Sequence, residues 1–315
     1  MTIMILKRYN KEYSNQWNEF VASSKNGTFL LDRGFMDYHA DRFVDFSLMF
    51  FENNKLMAVL PANYDEETKT LHSHQGLTYG GLVMSHKITA RGVMEAFELT
   101  LAFMRDELGA KRFLYKPIPY IYNKYVSEED LYALYRNDAR LVSRGLSSCI
   151  EMENRLPFTE SRKSGLRKSV DIRVEDTDRV EEFWNILNEV LTKLHNVAPV
   201  HSVEEINLLM SRFPERIRLF GAFDASGKML AGCLAFDCGK VLHTQYLAST
   251  NEGKSQGALD KLVSTLICSQ YRDCQYFDFG ISTEQGGAIL NEGLIFQKEG
   301  FGGRGVCYDH WLIEI

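Results

Sequence analysis

The sequence predicts an α/β (α+β) protein of two similarly built halves, each a mixed, mostly antiparallel sheet flanked by helices. Three observations predict it. Apolar runs separated by tight turns form a three-strand meander in the C-terminal half. A helix with one apolar face and a further strand follow that meander. The same order of elements occurs in the N-terminal half. The chain has 315 residues, 45% hydrophobic and 25% charged, a globular composition with length for two domains of ordinary size.

In the C-terminal half, Ile217 to Phe223 reads as a strand and Asp224-Ala-Ser-Gly227 as a turn. Met229 to Asp237 is the second strand, and Cys238-Gly-Lys240 turns the chain into the third, Val241 to Ala248. A polar loop, Ser249 to Gly257, is expected next. A helix then places Ala258, Leu259, Leu262, Val263, Leu266 and Ile267 on one face, and Gln275 to Phe279 closes the unit as a strand. A strand–helix–strand connection of this length makes parallel neighbours by a right-handed crossover.

The N-terminal half repeats this order with Phe46 to Phe51, Lys55 to Tyr64 and Leu71 to His74 as strands. A glycine-bearing loop from Gln75 to Gly81, a helix with Val93, Ala96, Phe97, Thr100, Leu101 and Met104 inward, and the strand Arg112 to Tyr115 complete it. Ala139 to Glu153 reads as a strand, and Leu156-Pro157 marks a boundary, because proline disfavours helix in the residue before it. The expected division is 1–155 and 156–315. A basic helix from Ser161 to Lys168 opens the second half, followed by helices from about Asp178 to Leu194 and from the capping box Ser202-Val-Glu-Glu205.

Composition excludes some functions. A net charge of −6 argues against a general nucleic-acid binder. The N-terminal apolar run is too short for a signal segment, and no apolar stretch reaches membrane-spanning length. None of the six cysteines shows Cys-x-x-Cys spacing, which reads as a reducing, cytoplasmic setting. His72 and His74 alternate on a strand without a third ligand at recognisable spacing, so no metal site is expected.

Candidate chemistry lies mainly in the C-terminal half. A strand entering a helix through a glycine-bearing loop presents backbone N–H groups to an anion such as a pyrophosphate. Tyr246, Ala248, Gly253, Lys254, Gly257 and Ala258 are the candidates for that donor site; the bland reading is an ordinary α/β loop. Parallel strands that diverge at their C-terminal ends open a crevice used for ligands. Gln245 and Asp278 stand on those strands, Asp278 as a general base or as a loop anchor. Ser282 and Gln285 follow in a glycine-rich loop, and Lys298 either holds an anion or pairs with a carboxylate. His201 is the preferred histidine for acceptor contact or base work; a satisfied loop histidine is the other reading, and His195 lies near it in sequence. His74, Gln75 and Tyr79 either bind an acceptor or pack their loop. Arg162, Lys163, Arg167 and Lys168 form a solvated face or hold phosphates.

The order meander, glycine-bearing loop, helix, parallel strand is similar to the GNAT acyltransferase fold. The tail Gly293-Leu-Ile-Phe-Gln-Lys-Glu-Gly-Phe-Gly-Gly303 resembles the Gly-Leu-x-x-Phe-Lys-x-Gly-Phe-Gly-Gly signature of the Fem transferases, which build peptide bridges in peptidoglycan. Tyr276-Phe-Asp-Phe-Gly280 looks like the Tyr-Asp-Phe-Gly-Gly strand end of that family. Lys298 matches the signature's lysine, and Gln297 replaces its aromatic neighbour. The resemblance implies two GNAT-like domains and transfer of an acyl group, acetyl from acyl-CoA, to an amine of a cell-envelope or polysaccharide precursor. The acceptor would be a small molecule or lipid-linked, with Asp278, His201 and Gln245 as catalytic candidates. An aminoacyl-tRNA-dependent transferase of the same fold and a binding module with a degenerate donor site are the alternatives, since Gly257-Ala258 is only a partial version of the GNAT donor motif.

Overall fold

The computed structural model describes residues 3–195 and 197–315, without the side chains of 193–195. The chain forms two compact units. The first holds residues up to Gly145 together with Thr283–Ile289 and Cys307–Ile315; the second holds Leu146–Ser282 and Leu290–Val306. The sequence-derived division at 155/156 falls within the second of these.

In the first unit, Leu48–Glu52 and Lys55–Leu60 pair antiparallel around Asn53 and Asn54, both at positive φ as a two-residue hairpin turn requires. Met4–Arg8 and Val83–Met84 flank this hairpin. Asn63–Asp65 pairs antiparallel with Thr70–His72, which runs parallel to Arg112–Tyr115, and the C-terminal strand adds Trp311↔Tyr115 and Glu314↔Arg112 antiparallel to the latter. The helix Ala90–Phe103 starts at Thr89, whose hydroxyl accepts from Gly92 N, and buries Val93, Ala96, Phe97 and Thr100, with Met104 buried just beyond it. The strand Met4–Arg8 and the helices Ser14–Ser23 and Glu129–Arg136 were not resolved by periodicity.

The second unit runs in strand order Arg140–Glu151, which belongs to it from Leu146 on, Tyr276–Ile281, Val241–Ser249, Met229–Asp237, Ile217–Phe223 and Arg173–Asp176. The meander is antiparallel as its turns dictate. Tyr276–Ile281 joins Val241–Ser249 in parallel and Arg140–Glu151 antiparallel. The helix Ala258–Thr265 and the turn after it pack Ala258, Leu262, Val263, Leu266 and Ile267 into a core with Phe220, Phe277, Phe279 and Phe301. Burial of a large apolar side chain contributes about 1.5–3 kcal/mol. The helices Val180–His195 and Val203–Arg212 precede the meander, the second with its capping box formed by Ser202 and Glu205.

One expected loop is helical. Asn251–Gln256 is a short helix because Thr250 caps it, its hydroxyl accepting from Gly253 N at 2.9 Å. Gly257 ends it in the left-handed region at φ 71°. A Cβ there would also stand 2.1 Å from the Gly165 carbonyl oxygen, so glycine serves both backbone and packing. The basic helix Glu160–Lys168 lies against Ala258–Thr265 through Arg162, which pairs with Asp260 at 2.7 Å and covers the Phe301 ring. Lys163 and Arg167 pair with Glu160. No helix among the described residues is long and apolar enough to cross a membrane.

Candidate functional site

The second unit contains a fork. Val241–Ser249 and Tyr276–Ile281 keep parallel register at Val241↔Tyr276, Leu242↔Phe277 and His243↔Asp278, the last rung among the described residues. Beyond it both strands change course. On the first, Leu234 faces Tyr246 and Ala235 faces Thr244, so Gln245 is an extra residue that bulges the strand. On the second, the register against Arg140–Glu151 shifts between Asp278 and Ile281, with Gly280 at φ 75°. Bulges bend and twist a strand locally, which is how two parallel neighbours part.

Polar side chains gather at the root of this fork. Asp278 is fully buried. Its Oδ1 accepts from Ser147 Oγ at 2.5 Å and from Gly280 N at 3.2 Å, and its Oδ2 lies 2.8 Å from His243 Nδ1. Lys298, on the helix Glu292–Gly300, donates to the carbonyls of Gly280 and Ile281 at 2.7 and 2.9 Å. Burial pushes its ammonium down to about 8, against the opposing pull of Asp278. Thus the lysine expected to hold an anion or a carboxylate holds two backbone carbonyls. The buried hydroxyls of Thr244, Ser148 and Ser282 have no hydrogen-bond partner among the described residues. Thr244 follows the last rung, Ser148 precedes the residue paired with Asp278, and Ser282 follows the second strand. Buried hydroxyls are usually satisfied, so each of these is open to a ligand or water.

Further along the first strand, Tyr246 OH meets His201 Nδ1 at 2.7 Å. Trp184 packs edge-on against Tyr246 with ring centroids 5.2 Å apart and donates through Nε1 to the His201 carbonyl at 3.2 Å. Burial raises the Tyr246 hydroxyl above its ordinary value. Gln245 and Tyr246 are neighbours on one strand, His201 meets Tyr246 from the turn before the helix Val203–Arg212, and Asp278 sits at the fork's root. The His195 side chain lies outside the described residues. Ala248 is buried opposite Gly232. Gly253 packs so closely that a Cβ would stand 2.4 Å from the Leu230 carbonyl oxygen, Ala258 is buried, and Lys254 is exposed. Ser282 fixes its loop through its N–H to the Leu146 carbonyl at 2.7 Å, and Gln285 lies in a turn of the first unit at φ 50°.

The corresponding place in the first unit is closed. Its parallel register also spans three rungs, ending at His72↔Leu114. There Ser73 N donates to the Leu114 carbonyl at 2.9 Å, Ser73 Oγ accepts from Lys116 N at 2.7 Å, and Gly80 N donates to the Lys116 carbonyl at 3.1 Å. The loop 75–81 thus continues the ladder. His74 is buried at φ 62°, Gln75 exchanges hydrogen bonds with Asn63 at 2.7 Å, and Tyr79 OH meets Thr28 Oγ1 at 2.9 Å. Lys116 Nζ donates to the Leu77 and Gln75 carbonyls at 2.5 and 3.3 Å, and burial pushes it down to about 8.

Sequence reasoning missed His243 and Ser147. Both stand on strands with no motif around them, and only the pairing across 35 and 131 residues joins them to Asp278.

No family model matches the chain, and no curated protein does. Solved structures do. The chain is similar to FemX at 10% identity and a TM-score of 0.67, covering 97% of this chain and 96% of that one. It is similar to a tandem GNAT protein from the clavulanic acid biosynthesis pathway at 9% identity and 0.57, covering 99% and 98%. It is similar to L-PGS from Bacillus licheniformis at 12% identity and 0.56, covering 96% and 91%. At such identities the likeness is one of fold, and with the fork and the echo of elements it establishes that this chain has the Fem-like tandem GNAT fold.

Proposed function

We propose that the chain is a GNAT-type acyltransferase that binds an acyl donor at the fork of its second unit and passes the acyl group to an amine. Acyl-CoA is the donor in this reading, and the acceptor is a small-molecule or lipid-linked precursor of the cell envelope or of a polysaccharide. The observation that carries the reading is the fork: three parallel rungs, then a bulge at Gln245 on one strand and a glycine at positive φ on the other. Strands that part there expose backbone groups able to hold the donor and stabilise the oxyanion that develops on its carbonyl. Holding donor and amine together supplies the proximity term of catalysis. The buried hydroxyls of Thr244 and Ser282, which lack a hydrogen-bond partner among the described residues and follow the two parting strands' last shared rung, support a polar ligand there.

In this reading Tyr246, Ala248, Gly253, Lys254, Gly257 and Ala258 line the donor, Ser282 contacts substrate, Lys298 holds the Gly280 and Ile281 carbonyls in place, and the half 156–315 is the catalytic one. The sealed ladder of the first unit supports placing the donor in the second. Two facts favour acyl-CoA over aminoacyl-tRNA: the net charge of −6, and the ion pairs that occupy Arg162, Lys163 and Arg167 within the protein. The test is thermal shift of the full chain with acetyl-CoA and, separately, with charged tRNA. Acetyl-CoA is expected to raise the melting temperature in a saturable way, about 2.7 kcal/mol of stabilisation at a hundredfold excess over Kd. Silence with both donors overturns the reading; a salt-sensitive response to tRNA alone moves it to aminoacyl transfer.

A further inference from the structure

We infer that Lys298 and Asp278 are positioning residues: together they end the parallel ladder at Gly280 and so keep the donor's place between the two strands. The ligand named here rests on the acyl-transfer reading above; the ending of the ladder does not.

The ladder itself says which bonds are missing. Tyr276 N donates to the Lys240 carbonyl at 3.0 Å, and every second N–H of a strand faces the same neighbour. Asp278 and Gly280 are the next donors in that series. After the last shared rung, His243↔Asp278, the Gly280 N–H would meet the Thr244 carbonyl. The Gly280 carbonyl would then accept from the first strand. The ladder stops short of both bonds. Gly280 stands at φ 75°, with its N–H on Asp278 Oδ1 at 3.2 Å and its carbonyl on Lys298 Nζ at 2.7 Å. Both groups that a continuing ladder needs are therefore committed elsewhere.

A peptide turned out of a sheet leaves buried carbonyls that need donors. Lys298 supplies two, to Gly280 and, at 2.9 Å, to Ile281. Its own place is fixed. It stands in the last turn of the helix Glu292–Gly300, and its carbonyl accepts from Phe301 N at 3.1 Å and Gly303 N at 3.2 Å. The side chain is buried, with Asp278 as a nearby opposite charge. Asp278 is held in turn by Ser147 Oγ and His243 Nδ1. Beyond the inverted peptide the strand meets Arg140–Glu151 again one residue out of register, at Ile281↔Ser147. His243 packs on the Gly280 backbone so closely that a Cβ would stand 3.3 Å from its Cε1. Glycine is thus required there for conformation and for fit. The bulge at Gln245 turns the first strand, so each strand carries one device for the parting.

Lys298→Met keeps the length of the side chain and removes its donors, whereas Lys298→Arg keeps donors and charge. In a crystal structure of Lys298→Met, Gly280 is expected to leave the left-handed region and to turn its N–H to the Thr244 carbonyl, adding a fourth rung. A Gly280 still inverted in that variant overturns the proposal. The second readout is the thermal shift of the full chain with acetyl-CoA. Lys298→Met is expected to need about tenfold more acetyl-CoA for the same shift, since strands zipped ten times as often as parted lower the apparent affinity by that factor. Lys298→Arg is expected to recover most of the response. A wild-type response in Lys298→Met, or none recovered in Lys298→Arg, overturns the proposal.

Should Lys298→Met not fold, Gly280→Ala replaces it under both readouts, because alanine resists the left-handed region. Retention there of the inverted peptide and of the wild-type response overturns the proposal. A fourth rung in either variant of a chain whose wild type is silent to acetyl-CoA supports the positioning roles and counts against the acyl-CoA reading alone.

Discussion

Acid is expected to destabilise the first unit through His72. His72 is 8% exposed, and its buried Nε2 has no hydrogen-bond partner among the described residues. Burial lowers its ionisation to about 4, helped by Lys116 and Arg112 and opposed by Asp65. The unfolded chain protonates near 6.5, so the folded value lies below the unfolded one. The contribution is fully present above pH 6.5 and is lost as pH falls from there through 4, because the unfolded state takes up the proton first. Between pH 7 and pH 5 the loss is about 2 kcal/mol from this residue, and about 3 kcal/mol once pH 4 is passed. His74 adds to it in the same direction, since burial together with His39, Lys116 and Arg33 holds it well below its ordinary value. The assay is urea unfolding at pH 7 and pH 5, read by hydrogen exchange in peptides spanning Thr70–His72 and Arg112–Tyr115. His72→Asn is expected to reduce the drop between the two pH values by about 2 kcal/mol. An unchanged drop in that variant would refute the reasoning, whatever the variant's stability at pH 7.

Two further substitutions probe the second unit. Gly257→Ala is expected to destabilise by about 2–4 kcal/mol, from the left-handed backbone and from crowding against the Gly165 carbonyl; a loss under about 0.5 kcal/mol in urea unfolding would refute this. Ser202→Ala breaks the capping box with Glu205 and is expected to remove about 1 kcal/mol, seen as a lower urea midpoint and faster exchange at the start of Val203–Arg212.

Part of this protein was legible in its residues alone. Continuous apolar runs over Ile217 to Phe223 and Met229 to Asp237, with a glycine turn between, marked a meander, because short apolar runs bounded by turn residues are written locally. The apolar stripe from Ala258 to Ile267 fixed a helix for the same reason. The capping box at Ser202 marked a helix start by a bond made three residues away. The tail Gly293 to Gly303 carried the resemblance that named the fold. The Ser249–Gly257 stretch was misread as loop because one hydroxyl cap outweighs a polar composition poor in apolar periodicity.

Tertiary structure alone decided the rest. The bulge at Gln245 exists only relative to Leu234 and Ala235 on the neighbouring strand. Asp278 is buried with bonds to Gly280, His243 and Ser147, the last 131 residues earlier in the chain. Lys298 turned inward to two carbonyls, and the loop 75–81 carried one ladder past its last rung while bulges end the other. Short-range order follows from the side chains of neighbours in sequence; burial and long-range hydrogen bonds depend on which distant strands meet, and no local pattern records that meeting.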